Sequence, residues 1–137
     1  MSNQAPAPPF MPAHARQWWP DFINAGNLYG VPPALLAAVA KRESAYDPTA
    51  ESSKGAEGMM QLIPRFYPGV DPMNPKQAIP AAASSLASYH QEFGTWRAAL
   101  AAYNEGPGNY RAYGISNPET IGYVNDIGGW WGGNLDA

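Results

Sequence analysis

The sequence predicts a single, mainly α-helical domain of about five to seven helices. Apolar residues recur at helical spacing in several segments of the 137-residue chain. Proline near the start and glycine near the end mark the boundaries of most of these segments. No segment alternates cleanly between apolar and polar residues over six positions, so we expect at most a minor β element. The length suits one domain with a substantial core.

A proline-rich lead-in over residues 1–12 precedes the first predicted helix. Its four prolines disfavour a helix, so we expect a flexible or extended segment. The domain itself is predicted over residues 13–137. Its first helix covers residues 13–29, with Pro20 in the first turn or at a kink and Gly30 after the last residue. The apolar residues of this helix are Trp18, Trp19, Phe22, Ile23 and Leu28.

The stretch "VPPALLAAVAKRES" predicts the second helix, because Pro32 and Pro33 suit a first helical turn. Glu43 follows the apolar residues at helical spacing and is expected on the packed face. The apolar residues that define this face are Leu35, Leu36 and Val39. Residues 46–76 are rich in proline, glycine, serine and aspartate, which predicts a structured loop region. Within it, "GMMQLI" could form a short strand.

Four further helical segments are predicted in the second half of the chain. They cover residues 76–93, 95–106, 107–113 and 117–128. Pro80 is expected in the opening turn of the first of these, and Thr95 and Asn117 are the expected N-caps of the second and the fourth. The tail "GGWWGGNLDA" is expected to be loosely structured, with Trp130 or Trp131 docking back on the domain.

The composition favours a neutral, ring-shaped ligand such as a sugar. Charged residues make up 14% of the chain, the formal net charge is −3, and there are five Trp and eight Tyr. Nucleic-acid binding needs a basic surface, which this sequence lacks. Cysteine is absent, which excludes disulfides, a thiolate nucleophile and a cysteine-based metal site. His14 and His90 have no ligand spacing, so no metal or cofactor is expected.

Glu43 is the first candidate for chemistry. A carboxylate beside apolar packing is costly unless it is paired, protonated or used in a reaction. Apolar surroundings raise the pKa of a carboxyl group, and cleavage of a glycosidic bond near neutral pH needs such a protonated acid. The position alone favours an ordinary, partly exposed glutamate at the end of a helix, because most acidic residues lie at the surface.

Four motifs together resemble the catalytic domain of the soluble lytic transglycosylases, a family of the lysozyme-like superfamily. They are the Glu-Ser pair that begins "ESAYDPTAESSKGAEGMMQLIP", the glycine-containing segment "GAEGMMQ" within that stretch, "AALAAYNEGPGNY", and "ETIGYV". The resemblance covers roughly residues 28–127, with the motifs in the family's order. It implies a lysozyme-like fold with a substrate groove.

The resemblance implies that Glu43 is the sole catalytic acid. Ser44 would help to orient Glu43 or a sugar group. Tyr123 would reach Glu43 from the final helix through its hydroxyl. An aromatic residue at this place is otherwise explained by packing on a helix face, with the hydroxyl satisfied locally.

The resemblance also implies a set of substrate-binding residues, which are Gly58, Met60, Gln61, Tyr103 and Asn104. Met59 stands where the family commonly has leucine, a swap that conserves volume. Gln61 offers both a donor and an acceptor to a sugar. Other roles remain open for three of them: Met60 as core, Tyr103 as helix packing and Asn104 as the end of a helix.

The implied reaction is the cleavage of peptidoglycan at the β-1,4 bond between N-acetylmuramic acid and N-acetylglucosamine, leaving 1,6-anhydromuramoyl ends. The four acids of the loop region, Asp47, Glu51, Glu57 and Asp71, leave an alternative open. If one of them, above all Glu57, placed a water, the enzyme would be a hydrolytic muramidase similar to goose-type lysozyme. A peptidoglycan-binding module without catalysis is the alternative of another class.

The sequence has neither a signal peptide nor an apolar run of transmembrane length. We therefore expect a phage endolysin, held in the host cytoplasm until a holin releases it to the wall, or a virion-associated enzyme. A wall-opening enzyme of a secretion system is the further alternative. The expected partner is the glycan strand, bound by a monomer, with no nucleic acid and no membrane insertion.

Overall fold

The computed structural model describes residues 5–137, and six α-helices and two short 3-10 helices make up its regular structure. The α-helices are α1 (Trp19–Tyr29), α2 (Pro33–Ser44), α3 (Pro75–Phe93), α4 (Trp96–Glu105), α5 (Pro107–Tyr113) and α6 (Pro118–Trp131). The 3-10 helices are Ala13–Trp18 and Pro64–Phe66. This confirms the predicted mainly α-helical class and the helix number. The β content of the described residues is limited to isolated bridges of Glu57 with Glu51 and Leu62.

Local signals in the sequence explain most helix starts. Proline occupies the first turn of α1, α2, α3, α5 and α6, where its missing N–H breaks no hydrogen bond. Thr95 and Asn117 cap α4 and α6 as predicted, since their side chains accept hydrogen bonds from Ala98 N and Glu119 N. Pro80 was predicted in the opening turn of α3. It lies one turn further along, inside the helix, because α3 already begins at Pro75.

Helix α2 forms the centre of the core. Its residues from Leu35 to Ala40 are all completely buried. It packs against α1 and α6, while α4 packs against α3, α5 and α6. This arrangement brings the C-terminal end of α2, where Glu43 lies, next to the middle of α6.

Two predicted boundaries differ from the structure at the N-terminal side. The predicted helix over residues 13–29 is divided into a 3-10 helix and α1, because Pro20 sits in the first turn of α1. The packed part of the chain begins before residue 13, since Met11 is completely buried and Trp19 Nε1 donates to Ala5 O at 2.7 Å. The first four residues of the predicted lead-in lie outside the described residues.

The prediction of a loose C-terminal tail was wrong, whereas the predicted docking of Trp130 or Trp131 on the domain is confirmed. Helix α6 continues to Trp131, and both Trp130 and Trp131 pack against the core from within the helix. The residues after Gly132 bind the start of α4: Leu135 O accepts from Arg97 N at 2.8 Å, and Arg97 pairs with Asp136. The Gly128–Gly129 pair does not end the helix. Leu135 packs so closely on Gly128 that a Cβ at this position would lie 2.5 Å from Leu135 Cδ1.

No helix within residues 5–137 combines the length and the apolar character needed to span a bilayer.

Candidate active site

Glu43 and Tyr123 form a hydrogen-bonded pair between α2 and α6. The Tyr123 hydroxyl donates to Glu43 Oε2 at 2.7 Å. Glu43 lies in the last turn of α2, and Tyr123 is buried with 1% of its surface exposed. The sequence-based expectation that Tyr123 reaches Glu43 from the final helix therefore agrees with the geometry.

Burial raises the pKa of Glu43 from its ordinary 4.5 to about 7. The Tyr123 hydrogen bond and the Arg42 guanidinium act in the opposite direction, and the Glu119 carboxylate raises the pKa further. Arg42 Nε also pairs with Asp126 Oδ2 at 3.1 Å. The desolvation of Glu43 outweighs both favourable contacts, so the carboxyl group exists in both protonation states near neutral pH.

Ser44 fixes the end of α2 to the loop that follows. Its hydroxyl donates to Met59 O at 2.8 Å and accepts from Asp47 N at 3.1 Å. The single hydroxyl hydrogen is therefore committed to the protein. This geometry supports a role in holding Glu43 in place; the predicted sugar contact of Ser44 stays a prediction.

Gly58 and Met60 shape the loop behind the site. Gly58 has φ 78°, and a Cβ at this position would lie 1.8 Å from Pro72 O, so only glycine allows this close approach of two loop segments. The Met60 side chain is completely buried in the core. It is not available to a ligand in this conformation, and packing, the role that the sequence also allowed, describes its place. Substrate contacts from the backbone of this segment stay predictions.

A cavity of about 740 Å³ contains three of the predicted substrate-binding residues, Gln61, Tyr103 and Asn104. Glu43 is not one of its lining residues, but it is coupled to Tyr103. Burial and then the Glu43 charge raise the pKa of the Tyr103 hydroxyl. Aromatic side chains are frequent among the other lining residues, which include Lys54, Arg65, Phe66, Tyr67, Tyr89 and Glu105.

Gln61 and Tyr103 are held in fixed positions at this cavity. Gln61 has φ 53°, and its Nε2 donates to Gly58 O at 2.8 Å and to Ala50 O at 3.2 Å. Both amide hydrogens are thereby used, which leaves the amide oxygen to accept from a ligand. The Tyr103 hydroxyl donates to Met60 O at 2.6 Å, which joins α4 to the glycine-containing loop.

The sequence profile of the family described as "Transglycosylase SLT domain" matches residues 21–123. The chain belongs to this family. The match includes both Glu43 and Tyr123. Among curated relatives of this SLT domain, the transglycosylase of Enterobacteria phage PRD1 is 35% identical over 95 residues, covering 67% of this chain and 36% of the relative.

Two further relatives come from a bacterium and a phage. The soluble lytic murein transglycosylase of Escherichia coli strain K12 is 30% identical over 126 residues, covering 71% of this chain and 20% of the relative. The peptidoglycan transglycosylase gp16 of Escherichia phage T7 is 36% identical over 113 residues, covering 74% of this chain and 8% of the relative. The SLT domain thus spans about a third or less of the length of these relatives.

Solved structures of soluble lytic transglycosylases show the same fold. The 70 kDa enzyme from Escherichia coli superimposes with a TM-score of 0.73 at 27% identity, covering 82% of this chain and 23% of that chain. An inactive glutamate-to-glutamine mutant of the lytic transglycosylase Slt from Pseudomonas aeruginosa superimposes equally well at 25% identity, with the same coverage of both chains. The predicted lysozyme-like fold is confirmed by this likeness.

Three site residues of this SLT domain escaped the sequence-based prediction. Thr120 is completely buried, and its hydroxyl donates to Asn104 Oδ1 at 2.8 Å. The Glu105 carboxylate accepts from Ser116 N at 3.0 Å and Asn117 N at 2.9 Å. Both contacts join the end of α4 to the start of α6, the helix that carries Tyr123. The sequence could have indicated both residues, because Glu105 lies in the same motif as Asn104 and Thr120 lies in the same motif as Tyr123.

Arg42 is the third missed residue, and the Glu-Ser motif follows it directly. Its guanidinium carbon lies 5.5 Å from the centroid of the Tyr123 ring. Arg42 therefore lies beside the Glu43–Tyr123 pair, and its positive charge lowers the pKa of Glu43. Its partner Asp126 comes from α6 and holds this cation in place.

The other acidic candidates have different surroundings. The Asp47 carboxylate accepts from the backbone N–H and hydroxyl of Thr49 and so closes a turn. Glu57 forms its contacts through the backbone, as the centre of the two β-bridges. Within residues 5–137, no three His, Asp or Glu side chains are grouped so as to hold a metal ion.

Proposed function

We propose that this SLT domain is a lytic transglycosylase that cleaves the β-1,4 bond between N-acetylmuramic acid and N-acetylglucosamine in peptidoglycan. The observation that carries the proposal is the Glu43 carboxyl group, whose pKa is raised to about 7 by burial and whose Oε2 is held by Tyr123. A general acid needs a pKa near the working pH, because it must be protonated and still release its proton. The relatives named as transglycosylases support the same reaction.

In the first step, protonated Glu43 donates its proton to the glycosidic oxygen, and the bond from this oxygen to C1 of the muramic sugar breaks. Positive charge develops on C1 and the ring oxygen, and the substrate's own N-acetyl oxygen stabilises it. Glu43 is then a carboxylate, and the Tyr123 hydroxyl stabilises this form by its hydrogen bond.

In the second step, the Glu43 carboxylate takes the proton of the C6 hydroxyl, and the C6 oxygen bonds to C1. The products are a 1,6-anhydromuramoyl end and a free N-acetylglucosamine hydroxyl, and Glu43 is protonated again. Glu43 acts as the acid in the first step and as the base in the second, so the reaction needs neither a water molecule nor a second carboxylate. The geometry supports this scheme, since Glu105, the acid that lines the cavity, is engaged by the backbone of Ser116 and Asn117.

The masses of the products test the proposal. Purified peptidoglycan is digested with the native protein, Glu43→Gln and Glu57→Gln, and the fragments are analysed by mass spectrometry. We expect anhydro ends, one water lighter than hydrolysed ends, from the native protein and Glu57→Gln, and at least a hundredfold slower release by Glu43→Gln, roughly the size of a general-acid contribution. Hydrolysed ends that require Glu57 would establish the muramidase alternative. Binding to the wall without release by the native protein would establish the non-catalytic alternative.

The proposed biological setting is degradation of the cell wall during phage lysis or phage entry. The domain is proposed to act as a monomer. Two of the relatives are transglycosylases of phages, which supports this setting. Sedimentation of the purified domain tests the monomer. Expression together with a holin, followed by the turbidity of the culture, tests lysis. Lysis that depends on the holin and on Glu43 is the expected result.

A further inference from the structure

Two cations that line the cavity of Gln61, Tyr103 and Asn104 have neither an ion-pair partner nor a hydrogen-bond partner among residues 5–137. The chain has eight Lys and Arg residues. Six of them are bound to carboxylates or backbone carbonyls, and they are Arg16, Lys41, Arg42, Lys76, Arg97 and Arg111. The side chains of Lys54 and Arg65 form neither an ion pair nor a hydrogen bond with any described residue.

Lys54 and Arg65 line the same cavity as Gln61, Tyr103 and Asn104. The guanidinium carbon of Arg65 lies 4.7 Å from the centroid of the neighbouring Phe66 ring, which supports the cation over an exposed aromatic face. Both side chains are exposed, so they can reach a ligand in this cavity. The residues that line the cavity therefore carry a net positive charge, in a protein whose formal net charge is −3. This pattern attracts an anionic partner.

The acid of the same cavity does not neutralise these cations. The Glu105 carboxylate is directed to Ser116 N, Asn117 N and the Ser116 hydroxyl. Burial raises the pKa of Glu105, but the hydrogen-bond contributions of Thr120, Asn117 and Ser116 together outweigh it and keep the pKa below its ordinary value. Its charge is thus used to fix the start of α6.

We infer that Lys54 and Arg65 bind the carboxylates of the peptides attached to muramic acid, so that the domain prefers glycan strands with charged peptides. The inference rests on the proposed function. The N-acetylated sugar rings are neutral and need hydrogen bonds and aromatic surfaces, which Gln61, Asn104 and Tyr103 supply. Free carboxylates are the anionic groups of the peptide side chains of peptidoglycan, and Arg binds them with paired donors.

The test compares two substrates that differ in the charge of their peptide carboxylates. Soluble peptide-bearing glycan strands are used untreated or after carbodiimide coupling of their carboxylates to methylamine. The coupling converts each carboxylate to a neutral amide and keeps the peptide in place. We expect the amidated strands to raise the KM of the native domain about three- to tenfold, the size of one or two solvent-exposed ion pairs, with less effect at high salt.

The variants assign the effect to the two cations. Lys54→Gln combined with Arg65→Gln is expected to have the same KM for both substrates. Lys76→Gln is the matched control, since Lys76 is an exposed cation that lines a different cavity, and it should keep the native preference. Thermal unfolding of each variant checks its fold, and binding of untreated strands in a Glu43→Gln background gives the same comparison without catalysis.

Two results would overturn the inference while leaving the proposed function standing: equal KM values of the native domain for both substrates, or a preference that survives in the double variant. Failure of the native domain to cleave either substrate would instead reject the proposed function, and the inference with it.

Discussion

The Tyr123 hydroxyl lies 2.7 Å from Glu43 Oε2, although the two residues are 80 positions apart in the chain. This contact joins the last turn of the central helix α2 to the final helix α6. It stabilises the charged form of Glu43, whereas burial stabilises the neutral form. The balance of these two effects gives Glu43 a pKa of about 7, and most of the following predictions depend on this value.

The first prediction concerns the pH dependence of the proposed activity. Glu43 must be protonated to act as the acid, and its pKa is about 7. The kcat/KM for cleavage of glycan strands is therefore expected to fall as the pH rises through about 7. Initial rates between pH 5 and 9 measure this profile. A profile without an alkaline limb in this range would contradict the role of Glu43 as the acid.

The second prediction concerns stability. The pKa of Glu43 is raised on folding, so the folded protein binds this proton more tightly than the unfolded chain does. The cost of ionising Glu43 is absent below its ordinary pKa of 4.5, grows as the pH rises, and is fully present above about 7. Its size is about 3 to 4 kcal/mol at most, from a rise of the pKa from 4.5 to about 7. Glu43→Gln removes the ionisable group, so urea unfolding should show a larger stabilisation by this variant at pH 8 than at pH 5.

The third prediction concerns the Tyr123 hydroxyl. Tyr123→Phe removes the donor that lowers the pKa of Glu43, so the alkaline limb of kcat/KM should move to higher pH. The carboxylate formed in the first step also loses its hydrogen bond, and kcat should fall about tenfold or more. Tyr46→Phe is the matched control, because the Tyr46 hydroxyl is also buried but donates to Ala37 O. It should lose roughly 1 kcal/mol of stability and keep the native pH profile.

The fourth prediction separates two roles of Ser44. If Ser44 holds the end of α2, Ser44→Ala loses its bonds to Met59 O and Asp47 N and destabilises the fold by about 1–2 kcal/mol. Glu43 is then less well placed, and kcat should fall with little change in KM. A raised KM with unchanged unfolding free energy would instead indicate a direct sugar contact. Thermal unfolding and steady-state kinetics on the same preparation provide both quantities.

The fifth prediction concerns two glycines of one loop. Gly55 and Gly58 both have positive φ, but open space surrounds Gly55, whereas a Cβ on Gly58 would lie 1.8 Å from Pro72 O. Gly55→Ala should cost about 1 kcal/mol, the backbone penalty alone. Gly58→Ala should cost more than twice as much, since the loop segments must also separate. Equal melting temperatures of the two variants would show that the close approach carries no energy.

Local signals predicted most of the helices, and they failed where a partner distant in sequence decides the outcome. Proline in the first turn and the caps Thr95 and Asn117 act on their own helix, so their effect is visible in a short stretch of chain. The prediction ended α6 at Gly128, whereas the helix continues to Trp131 and the chain after it binds Arg97, which lies 39 positions before Asp136. The buried Met11 in the predicted lead-in has the same cause.

The sequence by itself determined the helical class and the order of the motifs, and the family resemblance that these motifs carry singled out Glu43 as the candidate acid. The reason is that helix periodicity, capping and motif spacing are local properties of the chain. Only the tertiary structure showed that the Ser44 hydroxyl bonds to the protein backbone and that the Met60 side chain is buried in the core. It also showed the contacts of Thr120, Glu105 and Arg42 that join α6 to the rest of the site. It also determined the pKa of Glu43, because desolvation depends on which atoms surround a group in space and not on its neighbours in the chain.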